Sequence, residues 1–286
     1  MNYLGMFVTA RNWALIALLA AGVSAHAAPW KFFAMDNGVG RGVWSAEQQA
    51  STLQELGYDG ISYNYTTSAD VTIWLSALQA RQLRLFGIYV AAQIDGEPLL
   101  PPGFTEAVPL LKGSGAVIWL ILPKPKTAIH GDDELQKRVR QIADLADTAG
   151  LRVVLYPHFG FQLATAEQAW SLVQRVDRKN VGLTFNLAHE LAAGNGPRLT
   201  EIIRKIAPAL EMVSLNGATD RAGPGWDNYI KVLGTGEFPV DSVLRTLAEV
   251  KYAGPVGLQA YNIKGETKAN LASSVRAWKT LTADIR

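Results

Sequence analysis

The sequence predicts a single (β/α)8 barrel, and three observations carry that prediction. Short β-rich runs alternate with amphipathic helical stretches eight times. The eight units occupy about 255 residues, the usual span of such a barrel. No long Gly/Ser/Pro linker and no charge block divides the chain, so one domain is expected. An open doubly wound sheet is the competing architecture.

The elements follow in chain order. The first strand is expected over 31–36 (KFFAMD). A helix follows over 45–57, where Ser45 is the N-cap with Gln48 three residues on, and Gly57 ends it. The second strand is 60–64, the next helix 69–80 and the third strand 83–90. A looser stretch rich in Pro and Gly covers 96–103. The fourth strand, 116–122 (AVIWLIL), is apolar throughout, as a strand buried on both faces should be. A helix with acid at its start runs 132–149 and meets Gly150. Strand five is 151–156, followed by a helix over 165–176. Strand six is 181–186, followed by a helix over 197–207 with Pro in its first turn. Strand seven is 210–215 and the helix after it 240–252. Strand eight is 256–259, and a helix over 268–281 closes the pattern.

Residues 1–27 read as a secretory signal peptide. Arg11 gives a positive flank, 13–22 is an unbroken apolar and small run, and Ala25-His26-Ala27 is a small-x-small cleavage signal. The run is too short to span a bilayer comfortably, so no stable membrane insertion is expected. The barrel then occupies 28–286 and is exported, to the periplasm or the medium. The alternative is a cytosolic chain with an apolar N-terminal helix. Apolar residues make up 49% of the 286, enough for a large core without disulfides. The formal charge of +2 gives no electrostatic case for nucleic acid or an anionic membrane. Cysteine is absent, which removes thiolate metal ligands and a Cys nucleophile. Nothing in the sequence specifies an oligomeric state.

In a barrel of this kind, chemistry sits at the C-terminal ends of the strands. That rule gives a short set: Asp36, Tyr63 and Asn64, Lys124, Tyr156 and His158, Asn186 with His189 beyond, Ser214 and Asn216, and Gln259 and Tyr261. Residues two apart on a strand share a face, so Tyr156 pairs with His158, Ser214 with Asn216 and Gln259 with Tyr261. His158 and His189 lie at consecutive strand ends, and imidazole is the side chain suited to proton transfer near neutral pH. Their alternative is a structural role fixing a loop. His130 precedes Gly131-Asp132-Asp133 and reads as a loop residue. Lys124 reads as a solvated or substrate-contacting lysine rather than a Schiff-base former. Gly38-Val39-Gly40-Arg41-Gly42 follows a strand, but position 43 is Val, so it fails the dinucleotide pattern. Asn64-Tyr65-Thr66 is a glycosylation sequon, relevant only in a host that glycosylates. Tyr63, Trp226 and Tyr261 either stack on a ligand or pack their loops.

Several segments resemble the xylose isomerase-like sugar isomerases and epimerases. Leu155-Tyr156-Pro157-His158 looks like their Leu-Glu-Asn-His element, and Thr184-Phe185-Asn186-Leu187-Ala188-His189 is similar to their Phe-Asp-x-x-His element. Val213-Ser214-Leu215-Asn216 lies where they carry a His-containing strand. Leu233 to Phe238 resembles their Gly-x-Gly turn, and Tyr252-Ala253-Gly254-Pro255 with Gly257-Leu258-Gln259 resembles their Tyr-x-Gly-Pro run and last strand. The resemblance implies a divalent metal held by Glu, Asp, His and Glu from strands five to eight. Carried over position by position, these become Tyr156, Asn186, Ser214 and Gln259. Mg²⁺ and Mn²⁺ need mostly anionic oxygen ligands, so no cofactor is expected and a divalent metal is disfavoured. A site rebuilt from His158, His189 and Asp36 is the alternative.

The replacements are hydrogen-bonding groups of the kind that grip sugar hydroxyls. Two functions follow. One is an isomerase, epimerase or keto-sugar lyase acting on an unphosphorylated sugar or sugar derivative, with His158 and His189 as acid and base. Asp36, Tyr63, Lys124, Tyr156, Asn186, Ser214, Asn216, Gln259 and Tyr261 would contact that substrate. The other is a non-catalytic carbohydrate-binding barrel. Metal loss removes several kcal/mol of help to the transition state, so the enzyme reading requires easier chemistry, such as a 3-keto sugar with an acidified C–H.

Overall fold

A computed structural model describes residues 30–126, 132–219, 223 and 225–285. Residues 1–27, read above as a signal peptide, and His130 lie outside the described residues. Eight parallel strands pair in sequence order and close, with β8 beside β1. They are β1 (Phe32–Met35), β2 (Gly60–Asn64), β3 (Arg84–Ala91), β4 (Val117–Ile121), β5 (Val153–Leu155), β6 (Val181–Asn186), β7 (Leu210–Leu215) and β8 (Val256–Leu258). The helices are α1 (Ala46–Leu56), α2 (Ser68–Ala80), α3 (Phe104–Ala107), α4 (Asp132–Asp147), α5 (Ala166–Val176), α6 (Leu187–Ala192), α7 (Leu199–Ile206), α8 (Val240–Glu249) and α9 (Thr267–Thr282). Among the described residues, no helix is long and apolar enough to cross a membrane.

Local chemistry sets the boundaries. Ser45 and Gln48 close a reciprocal capping box at α1, and Gly57 ends it at φ 84°. Thr67 and Thr165 cap α2 and α5 through their hydroxyls. Two short helices were not read from the sequence. Of these, α3 follows directly on the Pro/Gly stretch 96–103, with Gly103 as its N-cap. The other, α6, starts directly from β6 because the Asn186 side chain accepts the backbone N–H of His189.

Alternation along the strands divides the core. The inner layer holds Phe33, Met35, Phe86, Tyr89, Trp119, Val154, Tyr156 and Met212. The outer layer, between strands and helices, is larger and almost wholly aliphatic and aromatic. Phe33 stacks on Phe86 at 4.8 Å, and the Arg84 guanidinium sits 5.0 Å over Phe86 at the strands' N-terminal end. Phe33 fits because β8 carries Gly257 beside it. A Cβ there would stand 2.5 Å from the phenyl ring. Trp119 fills the middle and donates its indole N–H to Thr184. The lower and middle barrel are therefore solid. The C-terminal end, where Tyr89 and Tyr156 stand, is where a ligand can enter.

Candidate active site

A cavity of about 310 Å³ opens at the C-terminal end. Arg41, Asn37, Asn64, Tyr89, Tyr156, His158, Phe161, His189, Trp226, Gln259 and Tyr261 line it, with Met35, Ile121 and Ile230. Of the residues read from the sequence, Asn64, Tyr156, His158, His189, Trp226, Gln259 and Tyr261 meet here.

The two imidazoles are neighbours, with ring centroids 3.9 Å apart. His158 lies against Phe161 at 4.0 Å, and the Trp226 edge meets His189 at 5.1 Å. Burial lowers the pKa of His158 below its ordinary value. It lowers His189 much further, with the neighbouring His158 charge adding to it. Both rings are therefore neutral at pH 7. Their tautomers follow from their partners. Nδ1 of His158 faces the Phe159 carbonyl at 2.9 Å, and a carbonyl only accepts. Nδ1 therefore carries the proton and Nε2 keeps its lone pair.

Around Tyr156 the polar groups are oriented one by one. Oδ1 of Asn186 accepts the His189 N–H at 3.2 Å, which turns Nδ2 to donate to the Tyr156 oxygen at 2.6 Å. Oε1 of Gln259 accepts from Asn37 Nδ2 and from the Tyr261 N–H, so Nε2 faces the same phenol at a long 3.4 Å. Asn37 is fixed in turn, its Oδ1 accepting the Ala260 N–H. Nε2 of His189 stands 3.4 Å from the Tyr156 hydroxyl, and its buried Nδ1 has no protein partner.

The other candidates lie elsewhere. Tyr63 is not at the mouth. It points outward from β2 and stacks on Trp74 of α2 at 4.9 Å, because the inward positions of that strand fall on Ser62 and Asn64. Asp36 is buried behind the wall, its carboxylate taken by Arg41 and the Asn64 N–H. Lys124 is exposed after β4 and does not line the cavity. Ser214 is wholly buried on β7. Asn216 holds a loop, its Nδ2 donating to the carbonyls of Gly217 and Tyr229. Asn186 does not line the cavity itself and acts on it through Tyr156 and His189.

Sequence reasoning missed Arg41, Asn37, Tyr89 and Phe161. Among the described residues, Arg41 is the one ionised side chain of the lining. It stands between Gly40 and Gly42, both at positive φ, in the stretch that failed the dinucleotide pattern. A single charged residue in a glycine-rich loop after β1 was the available signal. Glu190, beside His189, is also buried, but its carboxylate accepts from the Ala166 N–H and from Asn195.

These features define a (β/α)8 barrel with a cavity lined by amides, imidazoles and aromatic rings at its C-terminal end. The chain belongs to the xylose isomerase-like TIM barrel family, whose model matches residues 103–281. It is 29% identical to the 3-dehydroshikimate dehydratase of Pseudomonas aeruginosa over 153 residues, which are 49% of this chain and 23% of that protein. It is 21% identical to the inosose dehydratase of Clostridium botulinum over 245 residues, 75% of this chain and 81% of that one. An uncharacterised protein of Methanocaldococcus jannaschii matches at 27% over 132 residues, 45% of this chain. The chain thus spans 43% and 23% of the first two curated relatives it matches, the M. jannaschii protein and the P. aeruginosa dehydratase. Among solved structures, the D-allulose 3-epimerase from Methylomonas sp. superposes with a TM-score of 0.70. The identity is 16%, covering 90% of this chain and 99% of that one, and it is a likeness of fold.

The divalent metal implied by the family resemblance does not fit the residues present. Tyr156, Asn186, Ser214 and Gln259 include no carboxylate. Burial raises the Tyr156 pKa, so the phenol keeps its proton. The amide oxygens of Asn186 and Gln259 are engaged by N–H donors, and their N–H groups face inward, which repels a cation. Among the described residues, no group of three or more His, Asp, Glu or Cys stands where it could hold a metal ion.

Proposed function

We propose that this chain is an enzyme that removes a proton beside a keto group of an unphosphorylated sugar derivative, without a metal, leading to epimerisation, isomerisation or loss of water. The observation that carries this reading is the pair of neutral imidazoles, His158 and His189, 3.9 Å apart on the cavity floor. A neutral imidazole with a free lone pair is a competent base, and His158 Nε2 meets that condition. Negative charge then develops on the substrate's carbonyl oxygen. Preorganised hydrogen-bond donors in a closed site stabilise it in place of a Lewis acid. The lining suits a small polyol, with amides for hydroxyls and Trp226, Phe161 and Tyr261 for a sugar face. The reactions named in its relatives, two dehydrations and an epimerisation, fit this chemistry. Export, read from residues 1–27, fits an unphosphorylated substrate. N-terminal sequencing of protein recovered outside the cytoplasm should then begin near Ala28.

The test is exchange in deuterated water. Chelator-treated protein is incubated with a panel of unphosphorylated 3-keto sugars and followed by proton NMR. Deuterium should enter at the carbon beside the keto group, and His158→Ala should abolish it. Binding with no exchange across the panel would make the barrel a carbohydrate-binding protein. Exchange lost on chelation and restored by Mn²⁺ would overturn metal independence.

A further inference from the structure

We propose that Tyr156 is the proton donor to the substrate's carbonyl oxygen, with its phenol oxygen cradled by two oriented amides where the family's metal ligands converge. This rests on the proton-transfer reading above and names the group that replaces the metal's charge stabilisation.

The argument is one of valence. A phenol oxygen has two acceptor sites and one proton. At Tyr156 the acceptor sites are addressed by Asn186 Nδ2 at 2.6 Å and Gln259 Nε2 at 3.4 Å. Neither amide can flip without setting its own N–H groups against a backbone donor, His189 N–H in one case and Tyr261 N–H in the other. The Tyr156 proton is thus the only part of the group free to point elsewhere. At rest it faces His189 Nε2, across a long 3.4 Å that a better acceptor would displace. Tyr156 also lines the cavity, so a bound carbonyl can be that acceptor. A tyrosine kept for packing alone needs none of this. Tyr89 packs beside it, and its buried hydroxyl has no protein partner.

The groups facing Tyr156 are Tyr89, His158 and His189, with Arg41 further out on the wall. Burial raises its pKa, while the two amides and the Arg41 charge act the other way. These donors stabilise the phenolate form that a proton donor must pass through.

The proton count closes without a further reactant. His158 Nε2 takes the proton from carbon, and the C–H pair becomes the C=C of the enol as the carbonyl π pair moves to oxygen. That oxygen takes the Tyr156 proton, leaving a phenolate held by two N–H donors. In epimerisation, the enol turns its other face to His158, the imidazolium returns a proton to that face of the carbon, and the enol O–H reprotonates the phenolate. In dehydration, a neighbouring C–O bond breaks instead. The leaving oxygen departs as water with the imidazolium proton, and the enol returns its proton to Tyr156.

The test uses the 3-keto sugar that exchanges fastest with the wild type. Tyr156→Phe should lower kcat by about 100-fold or more, the scale of general acid catalysis, with KM little changed. Because phenylalanine leaves two buried amides without their acceptor, which can unfold the site, 3,5-difluorotyrosine is also placed at 156. Its more acidic phenol should keep the fold and shift the alkaline limb of the kcat profile to lower pH. A packing phenol moves neither quantity. Full kcat in Tyr156→Phe, or an unmoved alkaline limb, overturns the assignment while the wild type still exchanges. A wild type that exchanges with no keto sugar brings down the proposed function, and this inference with it.

Discussion

At the scale of single residues, the barrel mouth shows how one side chain's partners fix another's chemistry. Arg41 and Asp36 form the ion pair nearest the cavity. The Asp36 carboxylate is almost wholly buried, whereas Arg41 is 39% exposed. Removing the guanidinium leaves the carboxylate with the Asn64 N–H as its remaining partner, at 3.0 Å. Solvent reaching Arg41 weakens the pair below that of two buried charges. Arg41→Met should therefore destabilise the fold by about 1–2 kcal/mol, read as a lower midpoint in urea unfolding. Asp36→Asn with Arg41→Met should recover part of that loss, since no buried charge then lacks a counter-ion. A double variant no more stable than Arg41→Met alone would show that Asp36 does not depend on this partner. Of this pair, only Asp36 was legible in the sequence. It stands at a strand end, whereas Arg41 reaches the wall through loop geometry that two glycines permit and no periodicity reports.

At the scale of elements, legibility followed the locality of the cause. Strands β2, β6 and β7 have the bounds their patterns predict, and α1 has the cap that Ser45 and Gln48 announce. The α1 cap stands apart from the cavity, which gives a control for every substitution made there. Ser45→Ala removes one hydroxyl acceptor from the Gln48 N–H and should cost about 1 kcal/mol of stability with kcat unchanged. A fall in kcat would mean that global stability, rather than site chemistry, governs turnover. The short α6 was not legible, because its first turn depends on Asn186 serving two masters, capping His189 and donating to Tyr156. Tyr63 was misread for a related reason. Position along β2 was right, but the face was not, and only packing against Trp74 reveals which way the ring turns. Ser214 and Asn216 lie at the strand end read for them; Ser214 is buried within β7, and Asn216 is buried under the loop that β7 feeds.

At the scale of the whole molecule, two neutral imidazoles, His189 buried and His158 half-buried, couple the site to global stability. Folding lowers the pKa of His158 and His189 below the ordinary value of 6.5. As pH falls through 6.5, the unfolded chain takes up protons that the folded chain refuses. Their contribution is therefore complete above 6.5 and is lost as pH drops toward the folded values. Glu190 has the opposite sign. Its carboxyl is pushed up by burial, so its contribution is present at low pH and lost as pH rises. Glu167 is held below its ordinary value chiefly by its hydrogen bond to Lys205, so it reports only at lower pH, near and below 4.5. The melting temperature of the wild type should fall between pH 7 and pH 5. His189→Gln has no proton to gain there, so it should fall less over the same interval. Because Glu190 acts equally in both proteins, the difference between the two curves isolates the imidazole. Parallel curves would mean that His189 is protonated alike in the folded and unfolded chain, and the burial that keeps its ring neutral below pH 6.5 would lose its support.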